Sequence, residues 1–107
     1  MRNRIHQADD RDWAQVGAAL RECLCAAAGL DTERVALFNP ATRLFGALPE
    51  LDSMATAVLM GAIEDRFGIR LYDIDAEILG SYGALLTHVT RLVSERERMA
   101  VSHAASL

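Results

Sequence analysis

The most informative stretch of the chain is residues 51–69, LDSMATAVLMGAIEDRFGI. It opens on a polar pair, Asp52-Ser53, continues through an apolar-periodic segment and closes on Phe67-Gly68. Serine is a favoured N-cap residue, and glycine is favoured just past the last turn of a helix. This stretch therefore predicts a central helix that starts with Ser53 as its N-cap and ends at Gly68.

The apolar spacing also predicts which face of the central helix lies inward, because residues three and four apart share one face. The predicted inner face consists of Met54, Ala57, Met60, Ile63 and Phe67. The predicted outer face near the helix start consists of Ala55, Thr56, Val58 and Leu59. Aromatic residues make up only 6% of the chain, so we expect aliphatic side chains to fill the core.

Two longer helices are predicted on either side of the central one. The first runs from about Asp10 to Ala28 and ends at Gly29, and the last begins after Ser81 as its N-cap. The apolar face of the first helix consists of Trp13, Val16, Leu20, Cys23 or Leu24, and Ala27. That of the last helix consists of Tyr82, Leu85, Leu86, Val89, Leu92 and Val93.

The connections complete the predicted fold. Residues 30–52 form a long loop that is apolar enough to lie across the helices, with a short helical turn expected at Pro40–Leu44. Residues 69–72 are predicted to be extended, and Asp73 to Leu79 to hold one short helix. The fold class is therefore all-α: a small four-helix bundle of three longer helices and one short, with a long first loop. One domain is expected over 9–98, between a flexible N-terminal arm (1–8) and a flexible C-terminal tail (99–107).

Charge and composition exclude several classes of protein. The 107 residues carry a net charge of −4, and the acidic middle of the chain is a poor surface for nucleic acid. We expect no membrane span, since no apolar run reaches about 18 residues, and no signal peptide, since residues 1–12 lack an apolar core. Cys23 and Cys25 cannot pair when two apart on a helix, which favours reduced thiols. We therefore expect a cytoplasmic protein, and a monomer at this size.

Ser53 is the candidate functional residue. The first N–H groups of a helix have no intrahelical partner and the helix dipole favours negative charge, so a serine there is well placed to carry a phosphate ester. No G-x-S-x-G turn surrounds Ser53, and no Ser-His-Asp unit is apparent near it. The pattern therefore predicts an attachment point for a covalently carried group and not an enzyme nucleophile.

The chain resembles the phosphopantetheine-binding acyl carrier proteins from about Phe45 to Val93. The matching parts are Leu51-Asp52-Ser53-Met54, for the family's Asp-Ser-Leu motif, and Glu64-Asp65-Arg66-Phe67-Gly68-Ile69, for its acidic-acidic-x-Phe-Gly-Ile ending. Asp75-Ala76-Glu77 and Leu85-Leu86-x-x-Val89 fall at the family's usual distances. An Asp-Ser pair alone is common, whereas the pair followed eleven residues later by Glu-Asp-x-Phe-Gly-Ile is much more specific.

The resemblance implies that Ser53 accepts 4′-phosphopantetheine from coenzyme A and that Asp52 is the adjacent acid recognised by a phosphopantetheinyl transferase. Acyl groups would then be carried as thioesters on the arm. Other implied partners are an acyl-activating enzyme and an acyltransferase or synthase. The family's acyl cleft would be lined here by Ile63, Leu71, Leu79 and Leu85.

Departures from the family pattern bear on partner recognition. Met54 replaces the usual Leu, and Val58 stands where many members carry an acid that faces basic partners. Acidic residues of the central helix occur only at its far end, at Glu64 and Asp65. These four residues are the candidates for partner recognition, and we expect a partner surface more apolar than that of a fatty-acid synthesis carrier.

Three alternatives stay open from the sequence. A peptidyl carrier for aminoacyl thioesters usually shows Gly-Gly-x-Ser-Leu at the site, and Asp52 favours the acyl class instead. A helical interaction module that has lost the modification is opposed by the intact Asp52-Ser53 pair. A small helical-bundle enzyme would need converging polar groups, and His88, Cys23 and a few carboxylates are scattered along the chain.

Overall fold

A computed structural model describes residues 2–72 and 74–106, with side chains described over 13–72 and 74–100. Four α-helices follow one another: α1 (Arg2–Ala28), α2 (Thr32–Ala36), α3 (Ser53–Phe67) and α4 (Tyr82–Ser106). A single turn of 3₁₀ helix, Ile78–Gly80, precedes α4, and no strand is present in these described ranges. The predicted all-α bundle of three longer helices and one short is confirmed.

The core lies between the three long helices and is closed by the first loop. α1 contacts α2, α3 and α4, and the 3₁₀ helix contacts α4. The side chains that are most completely buried are almost all aliphatic, as the composition predicts, and Tyr82 is the one aromatic residue among them. They are Leu20, Leu24, Val35, Leu44, Leu51, Leu59, Ile63, Tyr82, Leu85 and Val89.

The predicted inner face of α3 is partly wrong. Thr56, Leu59 and Ile63 are the buried residues of α3, whereas Met54 is 78% exposed and Ala57 is also exposed. Apolar residues occur on nearly every side of this helix, so the spacing alone permits more than one inward stripe. The packing selects the stripe through Leu59, which the sequence placed on the outer face.

The predicted faces of α1 and α4 are confirmed, with one correction. Val16, Leu20, Cys23 and Leu24 of α1 are buried. Trp13, however, is 38% exposed, because it lies at the rim of the bundle where α4 and the 3₁₀ helix leave an open cavity. On α4 the predicted residues nearest Ser81 are buried, namely Tyr82, Leu85, Leu86 and Val89. The two farther along, Leu92 and Val93, are half-buried.

The short helices lie elsewhere than predicted. The first loop is helical at Thr32–Ala36 and not at Pro40–Leu44, and the helix predicted over Asp73–Leu79 is reduced to the 3₁₀ turn at Ile78–Gly80. The Pro40–Leu44 segment is held in another conformation because its backbone pairs with the residues around the start of α4.

This backbone pairing joins residues 40–45 to residues 79–83. Leu44 N–H donates to Gly80 O and Phe45 N–H to Leu79 O, each at 3.0 Å. In the other direction, Tyr82 N–H donates to Thr42 O at 2.8 Å and Gly83 N–H to Pro40 O at 3.0 Å. The first N–H groups of a helix lack intrahelical acceptors, so the loop carbonyls satisfy donors at the start of α4. Ser81 Oγ accepts from Ala84 N–H at 3.2 Å, which confirms Ser81 as the cap.

Arg21 of α1 holds the other part of the first loop. Its guanidinium donates to Val35 O at 3.3 Å and to Phe38 O at 3.1 Å, and it lies 4.9 Å from the ring centre of Tyr82. The Tyr82 hydroxyl in turn donates to Gly17 O at 3.3 Å. One cation therefore connects α1, the first loop and α4.

The first helix begins at Arg2 and not near Asp10 as predicted, and α4 extends to Ser106. Most of the predicted arm (1–8) and tail (99–107) therefore lies within these two helices. The flexibility of these segments and the domain limits 9 and 98 stay predictions. No helix among the described residues is long and apolar enough to cross a bilayer.

The backbone pairing predicts a strong effect of a single methyl group at Gly83. A Cβ there would lie 2.7 Å from Pro40 O and 2.8 Å from Pro40 Cβ, too close for the loop to keep its position. We expect Gly83→Ala to lower the free energy of unfolding by about 1–3 kcal/mol, measured by urea denaturation.

Gly61 provides the matched control, since a Cβ at this position in α3 would meet nothing within 4 Å. Gly61→Ala should raise the free energy of unfolding by about 0.5–1 kcal/mol, because alanine is the better helix former. Equal effects of the two substitutions would show that the close approach of Gly83 to Pro40 is unimportant.

Candidate functional site

The start of α3 is capped by Asp52, which corrects the prediction that Ser53 is the N-cap. Asp52 has extended backbone angles, and its Oδ1 accepts from Ala55 N–H at 2.8 Å. Its carbonyl oxygen accepts the first helical bond, from Thr56 N–H at 2.8 Å. Aspartate and serine cap about equally well, and the carboxylate one residue earlier occupies the position. Ser53 is therefore the first helical residue, and its hydroxyl is not needed for capping.

Ser53 is exposed at this helix start. Its hydroxyl makes no hydrogen bond within the described part of the chain, and neither do the backbone N–H groups of Ser53 and Met54. Free N–H groups and the positive end of the helix dipole favour an anion at this point. The arrangement suits a phosphate ester on the Ser53 oxygen.

The loop before Ser53 is held in place from both sides. Leu51 is buried in the core directly before the Asp52-Ser53 pair. Leu44 O accepts from the N–H groups of Ala47 and Leu48, which closes a tight turn. Arg34 of α2 forms an ion pair with Glu50 at 2.6 Å, and this hydrogen bond lowers the pKa of the Glu50 carboxyl below its ordinary value. The hydroxyl of Ser53 is therefore presented from a fixed position.

A groove of about 380 Å³ lies along this loop, and Ser53 is one of the residues that line it. It is lined by Phe45, Gly46, Ala47, Leu48, Pro49, Leu51, Asp52 and Ser53. The sequence interpretation missed this groove, because the apolar loop residues were all expected to close the core. Leu44 does so, but Phe45 is 36% exposed and Leu48 is only half-buried. The sequence feature that could have indicated this groove is the apolar loop directly before the candidate serine.

The four predicted acyl-cleft residues are core residues. Ile63, Leu71, Leu79 and Leu85 are all buried and belong to the core cluster that also contains residues of α1 and the first loop. Their role in holding an acyl chain stays a prediction.

The four candidates for partner recognition have different surroundings. Met54 and Val58 are 78% and 53% exposed and, being four residues apart, share one face of α3 next to Ser53. Glu64 is half-buried, and its Oε2 accepts from Leu71 N–H at 2.9 Å, which holds the loop after α3. Asp65 is exposed beside Arg66 and Glu22, in a cavity between α3 and α1. The exposed face nearest Ser53 is thus apolar.

A second group of polar residues, around His88 on α4, lies apart from the groove at Ser53. His88 is buried with its Nδ1 2.9 Å from Arg91 Nη2, and burial together with this cation lowers the pKa of the imidazole. His88 and Arg91 border a larger cavity of about 730 Å³, which shares no residue with the groove at Ser53. Among the described residues, no cluster of histidine, cysteine, aspartate or glutamate could hold a metal ion. The larger of these two cavities is therefore not the one that Ser53 lines.

Comparison with known proteins agrees with this geometry. The profile of one protein family, described as the phosphopantetheine attachment site, matches residues 18–89, which are 72 of the 107 residues. The matched range contains the second part of α1, from residue 18 onward, the whole first loop, α3 and the first turns of α4. Searches of curated proteins and of solved structures give no significant match. The chain belongs to the phosphopantetheine-binding carrier family, whose domain is the site of covalent 4′-phosphopantetheine attachment.

Proposed function

We propose that this protein is an acyl carrier protein and that Ser53 is the residue that bears its 4′-phosphopantetheine. The observation that carries the proposal is the exposed Ser53 hydroxyl, free of any capping role, on the first residue of a helix within the matched range. The bound group supplies a flexible arm that ends in a thiol, on which acyl groups are carried as thioesters.

The surroundings of Ser53 fit attachment by a separate enzyme. The serine oxygen gains a bond to phosphorus, the bond from that phosphorus to the nucleotide half of coenzyme A breaks, and the hydroxyl proton must be accepted. No base lies within hydrogen-bond distance of the Ser53 hydroxyl in the described part of the chain, so the transferase supplies one. The free N–H groups of Ser53 and Met54 then favour the phosphodiester charge.

Asp52 supports the acyl class over the peptidyl class, whose members usually lack an acid there. The same residue, together with Ser53, opposes a module that has lost its modification. The proposed partners are a phosphopantetheinyl transferase, an acyl-activating enzyme, and an acyltransferase or synthase. We propose that the carrier acts as a cytoplasmic monomer without catalytic residues of its own.

We further propose that partners dock on the apolar face formed by Met54 and Val58. These two side chains are exposed beside Ser53, whereas the Glu64 carboxylate is engaged with the Leu71 backbone. Apolar contacts respond little to salt, while association steered by exposed charges weakens as salt rises. The docking surface thus differs from the acidic surface common in the family.

The first test is attachment itself. Incubation with coenzyme A and a broad-specificity phosphopantetheinyl transferase should add the mass of one phosphopantetheine, measured on the intact protein. Ser53→Ala should gain nothing, because the attachment oxygen is absent, and Ser94→Ala should gain as much as the parent protein. Absence of any gain in the parent chain would favour the interaction module.

The second test separates the two roles of Asp52. Asp52→Ala removes the cap and should lower the free energy of unfolding by about 1 kcal/mol. Asp52→Asn keeps the capping oxygen and should leave stability nearly unchanged, yet it removes the charge and should slow loading by the transferase. Equal loading rates for the parent protein and Asp52→Asn would rule out recognition of the acid.

The third test addresses the docking face. Met54→Ala and Val58→Ala should each weaken binding to the loading transferase by about 1 kcal/mol, roughly fivefold in Kd, if they act as interface anchors. Leu37→Ala is the control, since Leu37 is 82% exposed on a different segment. Binding of the parent protein should change little between low and moderate salt, and a steep loss with salt would contradict an apolar interface.

A further inference from the structure

We propose that the groove along residues 45–53 is a resting site for the pantoate part of the arm on Ser53, the half that carries two methyl groups. This inference rests on the proposed function, since it requires the arm to be attached at Ser53. It assigns a role to a surface formed by the loop before α3, and none of the four predicted acyl-cleft residues lines that surface.

Position is the first argument. Ser53 and Asp52 are both lining residues of the groove, so an arm bonded to the Ser53 oxygen begins next to it. The volume of about 380 Å³ lies within the range of roughly 300–1,000 Å³ that is typical of small-molecule sites. The occupant is thus a group tethered at the site itself, and no separate ligand is required.

Chemical match is the second argument. In phosphopantetheine, the carbon that bears the two methyl groups follows the first carbon after the phosphodiester. The nearest apolar part of the arm therefore lies within a few bonds of Ser53. The groove offers apolar lining residues for this part of the arm: the partly exposed Phe45, the half-buried Leu48 and Pro49. Water that covers these side chains would be released on contact.

Rigidity is the third argument. The groove loop is paired to Leu79 and Gly80 through its backbone, closed by the turn at Leu44 and tied to α2 by the Arg34–Glu50 ion pair. A preformed site loses little conformational entropy when it is occupied. By contrast, the predicted acyl cleft is filled by its own buried side chains, so the arm would have to displace packed core residues there.

The test uses the loaded protein, after intact-mass analysis has shown one phosphopantetheine on Ser53. In NMR spectra, the two methyl signals of the arm should be shifted from those of free coenzyme A by the Phe45 ring, with NOE contacts to Phe45 and Leu48. Phe45→Ala should return the methyl signals towards their free positions. Phe45 is not part of the core cluster and its backbone bond to Leu79 remains, so this variant should fold.

Leu37→Ala is the control, because Leu37 is 82% exposed and does not line the groove, and it should leave the methyl signals unchanged. Ala47→Phe places a large ring at a residue that lines the groove and should abolish the contacts to Leu48. Methyl signals at their free positions in the loaded parent protein, or contacts to Ile63, Leu71, Leu79 or Leu85 instead, would overturn the inference alone. Failure to load Ser53 would overturn the proposed function and this inference together.

Discussion

The backbone pairing between residues 40–45 and residues 79–83 is the constraint on which the rest of the structure depends. It satisfies the first donors of α4 with carbonyls from the first loop, and it requires glycine at position 83 because Pro40 lies against that residue. Once residues 40–45 are held there, the turn at Leu44 and the burial of Leu51 direct the chain to the start of α3. The position of Ser53 is therefore set by contacts remote from it in sequence.

Asp52 and Ser53 have different roles at the start of α3. A carboxylate in the capping position binds one of the free helix donors and leaves the next residue exposed with an unused hydroxyl. A serine in the capping position would have its oxygen engaged with the backbone. The capping interaction and the proposed attachment point are thus carried by neighbouring residues that do not compete for the same N–H groups.

Much of this organisation could be predicted from local patterns. The faces of α1 and α4 follow from apolar residues repeated at helical spacing, and the end of α3 follows from Gly68, which has a left-handed backbone conformation with φ of 65°. The inner face of α3 could not be predicted in the same way, since Met54, Ala57, Val58 and Leu59 are all apolar and only packing distinguishes them. The Thr32–Ala36 helix was missed because five residues carry too little periodicity to be detected.

In the candidate site too, some features follow from the local sequence and others depend on how the chain packs. The Asp52-Ser53 pair and the spacing to Glu64-Asp65-Arg66-Phe67-Gly68-Ile69 are properties of the chain read in order. They indicate a carrier, and they predict Ser53 as its attachment residue. The sequence does not determine which of Asp52 and Ser53 caps the helix, a choice made by the bond from Ala55 N–H to the Asp52 carboxylate. Nor does it determine whether Glu64 or Val58 remains available to a partner, or whether Phe45 lines a groove. Those two features depend on how the loops pack against the helices. Spacing along the sequence determines which residues share a helix. Only the packing of helices and loops determines which of their faces are left for solvent, and that choice defines the surface on which this protein acts.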